Sequence, residues 1–347
     1  TGLAKTDYEY NIRGWLLSIN KDYITSSIND DRYFGMQLGY DKSGSLSTFA
    51  PQYNGNISGS IWKSEGDQQK RKYDFTYDAV NRLTGAGFTQ YVSGTGTDAL
   101  FNTSAGVDFT VSNLSFDANG NIKTMKQSGL KINTSEVIDD LFYTYEPNSN
   151  KLKNVWDGAN VPATQLGDFR TSTLHPQSGT KTSATTQALR DYITDYSYDA
   201  NGNLIKDYNK DIGNSSTQGI TYNYLNLPST ISVKNATGNN KGTITYTYDA
   251  GGNKLKKVTV EDPVTANGNK TITTTTSYIN GFVYESKTTN PANTPNDDYT
   301  DKLQFTGHEE GRIRALYANC ATPNLLTGFA YDYMLKDHLG NVRMVLT

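Results

Sequence analysis

The residues best suited to chemistry lie at Asp337-His338, a few positions before Arg343. An imidazole beside a carboxylate can act as a general base or as a metal ligand. Gly340-Asn341 follows at once, so the same pair also suits the start of a turn, and an isolated motif favours that plainer reading. His308-Glu309-Glu310-Gly311-Arg312 lacks the second histidine of a zinc-binding helix and reads as part of a strand–turn pair. The chain has 3 histidines, His175, His308 and His338, at no ligand spacing and with no cysteine cluster to join them. Asp199-Ala200-Asn201-Gly202-Asn203 echoes part of a calcium loop, but it lacks the distal glutamate and alternating ligands that would supply six or more oxygens. Cys320, next to Asn319, has no partner histidine in a recognisable nucleophile pattern. No phosphate loop, dinucleotide fingerprint or serine elbow is present. Trp15, Trp62 and Trp156 could stack on sugars, although such rings more often pack across strands. The sequence therefore singles out no catalytic, cofactor-binding or metal-binding residue.

The elements around these residues repeat. Tyr196-Ser197-Tyr198-Asp199-Ala200-Asn201-Gly202-Asn203-Leu204 has relatives at Phe75-Thr76-Tyr77-Asp78-Ala79-Val80-Asn81-Arg82-Leu83 and Leu114-Ser115-Phe116-Asp117-Ala118-Asn119-Gly120-Asn121-Ile122. A fourth copy, Tyr246-Thr247-Tyr248-Asp249-Ala250-Gly251-Gly252-Asn253-Lys254-Leu255, carries one extra residue. Weaker copies start at Tyr143-Thr144-Tyr145-Glu146, Tyr222-Asn223-Tyr224-Leu225 and Tyr331-Asp332-Tyr333, and Tyr8-Glu9-Tyr10-Asn11-Ile12 is a distant relative. Aromatic-polar-aromatic puts both rings on one face of a strand. Asp-Ala-Asn-Gly-Asn then supplies residues that tolerate positive φ and close a turn, and the next Leu or Ile begins the return strand. Gly202 and Gly252 are expected at positive φ. A lone hairpin is marginal, so stability has to accumulate by pairing neighbour with neighbour.

Phe34, Met36, Leu38 and Tyr40 alternate before an expected turn at Asp41-Lys42-Ser43-Gly44. Segments near 157–190 and 288–300, rich in Thr, Ser, Asn, Gly and Pro, read as long loops or insertions. Nothing reads as a long amphipathic helix or a clean linker, so one continuous sheet is expected.

Composition narrows the function classes. Lys+Arg 32 against Asp+Glu 35 gives −3, which leaves no electrostatic footprint for nucleic acid. A hydrophobic fraction of 35% makes a thick core hard to fill, yet 25 Tyr, 12 Phe and 31 Gly argue against disorder. Tyrosine suits a half-wet sheet face, with an apolar ring and a hydroxyl that can stay hydrated. One cysteine excludes an internal disulfide, and no stretch approaches the ~18 apolar residues of a membrane span. The sequence begins at Thr1 with no leader-like segment, so it reads as a fragment of a larger protein.

Tyr198-Asp199-x-x-Gly202-Asn203, repeated along the chain, resembles the YD repeats of bacterial rearrangement-hotspot (RHS) proteins and of the animal teneurins. Asp337-His338-Leu339-Gly340-Asn341-Val342-Arg343, following Tyr331-Asp332-Tyr333-Met334-Leu335-Lys336, resembles the opening of the RHS-associated core. Tyr10-Asn11-Ile12-Arg13-Gly14-Trp15-Leu16 and Phe34-Gly35-Met36 are similar to Bacteroidetes-type members. The resemblance implies an all-β fold, a long antiparallel sheet of hairpins spiralling into a hollow shell or cocoon around a variable C-terminal passenger, often a toxin. It implies residues 1–70 as a β-rich N-terminal part, 71–330 as the repeat shell, and 331–347 as the start of the core. The family's Asp-Pro-x-Gly self-cleavage motif is missing, since Asp262-Pro263 is followed by Val264 and Thr265.

The expectation is a non-catalytic shell segment of a secreted or surface-displayed bacterial protein, with no cofactor. Its expected partners are the passenger of the same precursor, and secretion machinery or cell-surface glycans. An adhesive, carbohydrate-binding scaffold is the rival. A β-solenoid carbohydrate-active enzyme would need two carboxylates facing each other at about 5–9.5 Å, and no motif points to such a pair.

Overall fold

Asp199 shows why the repeats fold as they do. Its backbone N–H donates to the Asn203 carbonyl at 2.9 Å, and the Gly202 N–H donates back to the Asp199 carbonyl at 3.1 Å. The Asp199 carboxylate accepts from the N–H groups of Asn201 (2.9 Å) and Asn203 (2.8 Å) and from the Asn203 side-chain amide (2.9 Å). The side chain thus supplies the acceptors that strand pairing cannot offer in a tight loop. Gly202 has φ 87°, and Gly252 in its own copy has φ 86°.

The same wiring, with an Asp or Asn at its first position, closes the turns at 11–15, 78–82, 117–121, 223–227, 235–239, 249–253 and 337–341. The fourth position is Gly or Asn at positive φ in every one. The copy at 249–253 is no longer than the others, which corrects the extra residue read from the sequence. Lys254 takes the place of Leu204 after the turn, pairs with Tyr248, and lays its ammonium 4.6 Å from the Tyr246 ring.

One weaker copy and one further turn depart from expectation. Asp332 of Tyr331-Asp332-Tyr333 lies inside the strand Leu326–Lys336, opposite Arg312, and makes no turn. No residue at the fourth position after it takes positive φ, so the strand runs on to Lys336 and turns at 337–341. The turn at 235–239 went unrecognised because no aromatic pair precedes Asn235.

A computed structural model of the 347-residue chain describes residues 4–25, 32–41, 49–95, 99–159, 167–294, 296–318 and 325–347. The turn expected at Asp41-Lys42-Ser43-Gly44 lies largely outside the described residues. The chain forms two compact units. One holds Thr1–Tyr143, Val155–Phe169 and Met334–Leu346, and the other Thr144–Asn154, Arg170–Tyr333 and Thr347. The fold is all-β, in open antiparallel sheets whose strands pair mostly in chain order.

An 11-stranded sheet runs Tyr8–Tyr10, Leu16–Ile19, Phe34–Gly39, Gly59–Ser64, Arg71–Tyr77, Leu83–Ser93, Val111–Phe116, Ile122–Lys131, Thr134–Tyr145 and Leu152–Asp157, with Leu100–Asn102 paired beside Leu83–Ser93. A 10-stranded sheet begins at Ile220–Tyr222 and Pro228–Lys234 and meanders through Asn240–Tyr248, Lys254–Glu261, Thr271–Ile279, Phe282–Asn290, Tyr299–His308, Gly311–Tyr317 and Leu326–Lys336 to Val342–Leu346.

Between them Tyr196–Tyr198 and Leu204–Asp207 form a separate hairpin, so the expectation of one continuous sheet is corrected to three. The break after the hairpin has a local cause. Tyr208–Lys210 curl into a short 3₁₀ turn capped by the Asp207 side chain, and Asp211 follows in the left-handed region, leaving only isolated bridges at Ile212. The segment read as a loop near 157–190 carries two short helices, Ser178–Ser183 and Gln187–Arg190.

The first unit does hold a compact core, despite the modest hydrophobic fraction. Every residue of Phe34–Gly39 is buried. One face packs Phe34, Met36 and Leu38 with Ile19 and Tyr40, backed by Trp62, Leu335 and Met344. The other face is covered closely enough that a side chain on Gly39 or Gly59 would run into the Phe49 ring. Elsewhere the strands are mostly half-buried, as expected of tyrosine-rich faces.

Candidate functional site

The Asp337-His338 pair does not assemble as a dyad. The Asp337 carboxylate is buried and accepts from the Leu339 and Asn341 N–H groups, the Asn341 amide and Arg343 Nε at 2.7 Å. Burial pushes this carboxyl up, but the hydrogen bonds from Asn341 and Arg343 outweigh it and hold the pKa below the usual value. Asp337 is therefore the first residue of a repeat-type turn, and His338 takes the place of Ala200. His338 stands exposed, and its pKa is lowered, chiefly by partial desolvation. His338, Leu339 and Arg343 border an apolar groove of about 460 Å³ over Phe34, Met36, Trp62, Tyr73 and Tyr77.

His308 ends a strand opposite Gly311, in the expected strand–turn pair, and packs edge-on against Tyr333 at 5.3 Å. Its Nδ1 accepts the Glu310 N–H at 3.2 Å. Asp332, nearly inaccessible, receives Arg312 Nε at 2.8 Å and Arg314 Nη2 at 2.9 Å. These two guanidinium groups hold its carboxyl far below the ordinary range.

The calcium reading of the repeats fails on geometry. All the described contacts of the Asp199 carboxylate are N–H donors, whose positive ends occupy the directions a cation would need. Trp62 stacks on Tyr73 at 5.4 Å, Trp15 lies 5.4 Å from Tyr40, and Trp156 lies 5.5 Å from Phe142. These are packing contacts between strands. Cys320 and Asn319 lie outside the described residues.

Two clusters were not legible in the sequence. In the second unit His175, Lys181, Asp195 and Asn209 form a sealed network. Lys181 Nζ reaches both oxygens of Asp195 (2.9 and 2.8 Å) and the Asn209 carbonyl oxygen (3.0 Å). His175 Nδ1 accepts the Gln177 N–H, so its Nε2 is the nitrogen that donates to Asp195, at 3.0 Å. Burial raises the Asp195 carboxyl, but the bonds from His175 and Lys181 prevail and its pKa falls. The His175 and Asp195 side chains are 0% exposed, so no substrate reaches them, and the network serves to pin the helical segment to the hairpin.

In the first unit Asp139, Asp157 and Asp168 bring ligand oxygens within 4.8 Å of one another. Asp139 accepts the Phe169 N–H at 2.7 Å, and Asp157 accepts those of Asp140 and Ala159. Burial, followed by the neighbouring carboxylates, raises the Asp139 pKa against the Phe169 bond. Among the described residues these three form the group that could hold a cation, and their backbone bonds equally suit loop anchoring.

An arrangement that recurs three times in the second unit is a tyrosine staple. Tyr198 donates its hydroxyl to the Leu152 carbonyl (2.8 Å), Tyr222 to Leu204 (2.6 Å) and Tyr248 to Pro228 (3.0 Å). Each is the aromatic just before a turn, and each acceptor begins the return strand of the preceding turn. Turns also touch, since the Asn201 and Asn203 amides both donate to the Asn226 side-chain oxygen.

No protein family and no curated protein matches the chain. Among solved structures it is similar to the crystal structure of TcdB2-TccC3-Cdc42, with 15% identity, a TM-score of 0.29 and coverage of 98% of this chain. The chain spans 17% of the length of that one. A porin-like protein from Bacteroides uniformis is similar at 12% identity and a TM-score of 0.20, over 82% of this chain and 87% of the other. TM-scores this low do not establish a shared overall fold.

Proposed function

We propose that this chain is a wall segment of an RHS-type YD-repeat protein, a non-catalytic scaffold that is secreted or displayed at the bacterial surface and encloses or presents a C-terminal passenger of the same precursor. The observation that carries the reading is the tyrosine staple. It fastens three hairpins, each to the one before it, through a tyrosine hydroxyl and a backbone carbonyl, which suits a protein that builds area by adding hairpins edge to edge. The non-catalytic part of the reading rests on the acid–imidazole pairs. Asp337 is committed to its own turn, and Asp195 with His175 is sealed from solvent.

The test is limited proteolysis of the full-length precursor, with and without residues 220–260. The deletion removes four consecutive strands, an even number, so the flanking strands keep their antiparallel sense. A passenger protected in the intact protein and digested quickly after the deletion supports the wall. Equal digestion in both refutes it.

A further inference from the structure

The second unit contains a cavity of about 260 Å³ lined by Leu174, Pro176, Tyr208, Asp211, Asn214 and Lys234, among others. Drug-sized ligands fill pockets of roughly 300–1,000 Å³, so this one has room for a single small ring. We propose that it binds one sugar ring. The inference stands apart from the wall reading and does not depend on a passenger.

The walls combine the two kinds of surface that a pyranose presents. A sugar ring offers C–H groups on its faces and hydroxyls around its rim. Tyr208, beside Leu174 and Pro176, provides an aromatic and aliphatic wall for the C–H face. The Tyr208 ring is held from behind by an edge contact with buried His175 at 5.5 Å.

The polar groups suit the rim. Asp211 has no side-chain partner among the described residues, although it lies in the left-handed region at φ 58° and is half-buried. Its backbone is fixed by the Lys234 N–H donating to its carbonyl at 2.8 Å and by Ile212 bonding back to Asp207 at 2.9 Å. A carboxylate with open lone pairs on a fixed backbone can accept from two neighbouring hydroxyls at once.

Lys234 Nζ uses one donor on Asn240 at 2.8 Å, leaving others for a ligand. The Asn214 carbonyl oxygen is spent on its own loop, on Ser216 and Thr217, so its remaining function is that of an N–H donor. Asp211 and Lys234 cancel in charge, which favours a neutral polyhydroxylated ligand over an anion or a cation. The backbone restraints mean that little ordering is lost on binding.

The experiment is saturation-transfer NMR on the 1–347 chain, with the methyl glycosides of glucose, galactose, mannose and N-acetylglucosamine as probes and glycine and β-alanine as zwitterionic controls. Asp211→Asn keeps a residue that tolerates the left-handed backbone, and Lys234→Met keeps the aliphatic stem. Transfer to at least one glycoside is expected, with binding about tenfold weaker in each variant, as loss of one charge-assisted hydrogen bond implies. Unchanged melting temperatures would show that both variants are folded. No transfer to any glycoside, equal transfer in the wild type and both variants, or transfer to the zwitterions instead would overturn the assignment.

Discussion

Replacing Gly202 isolates the backbone requirement of the repeat turn from every packing effect. A Cβ added at Gly202 would meet nothing closer than the flexible Lys151 side chain, at 3.5 Å, so the position has room for a side chain. The cost of substitution must therefore come from φ 87°. An L-residue in the left-handed region costs about 1–2 kcal/mol, with a β-branched side chain at the upper end. Asn pays least, and Asn81 and Asn226 already occupy the same turn position, at φ 67° and 57°. The expected order is Gly202→Asn nearly neutral, Gly202→Ala about 1 kcal/mol and Gly202→Val about 2 kcal/mol destabilising. For a unit of this size 1 kcal/mol shifts the melting temperature by about 2–4 °C, so the Val variant should melt roughly 4–8 °C lower. Hairpin repeats open locally, so amide exchange at Gly202 and Asn203 should report the loss even where the global melt is blunted. Scanning calorimetry with exchange measurements on the three variants makes the test. A Val variant that matches wild type in both, or an Asn variant that falls as far as Val, would refute the turn argument.

Tyr222→Phe should cost about 1 kcal/mol, the net value of one hydrogen bond, and should raise amide exchange in the Leu204 strand. Burial raises the pKa values of Tyr198, Tyr222 and Tyr248, so their contribution is present below pH ~10 and is lost as pH rises above it; alkaline melts of the wild type and a triple Phe variant should converge. Asp195→Ala should destabilise by about 3–5 kcal/mol, because buried Lys181 loses the carboxylate that receives it and keeps the neutral Asn209 amide oxygen. The Asp195 pKa is depressed, so its stabilisation is present above pH ~3.9 and is lost as pH falls through the lower folded value; melts from neutral to acid pH should show a smaller loss in the Ala variant. Purified chain incubated without protease should stay intact, and a defined break at Asp262-Pro263 or elsewhere would contradict the missing cleavage motif.

The strand–turn–strand unit was legible because its signals are local. Asp-Ala-Asn-Gly-Asn carries its own acceptors and its own positive-φ residue, so the turn at 199–203 needs nothing distant to form. The errors came from reading the wrong residue as the anchor. Tyr331-Asp332 has the right dipeptide and makes no turn, whereas 235–239 lacks the aromatic pair and does. The Asx at the first position and the Gly or Asn at the fourth are what the geometry requires, and a tyrosine before them, as at Tyr198, Tyr222 and Tyr248, reaches back to the preceding hairpin. On that rule Asp337-His338-Leu339-Gly340-Asn341 is one more turn, and its histidine a loop residue.

By itself, the sequence determined that the chain folds as hairpins, where most of them turn, and that its faces are tyrosine-rich and half-wet, because each of those properties depends on residues within about ten positions of one another. Tertiary structure alone decided which buried polar groups meet. Asn154, Arg190 and Ile193 join through the Asn154 amide, and His175, Lys181, Asp195 and Asn209 close one network across a helical segment and a hairpin. No periodicity marks such partners, since a buried charge is specified by what surrounds it in space. The same holds for the break after the hairpin at Tyr208–Lys210 and for the cavity lined by Asp211, the left-handed residue that follows it.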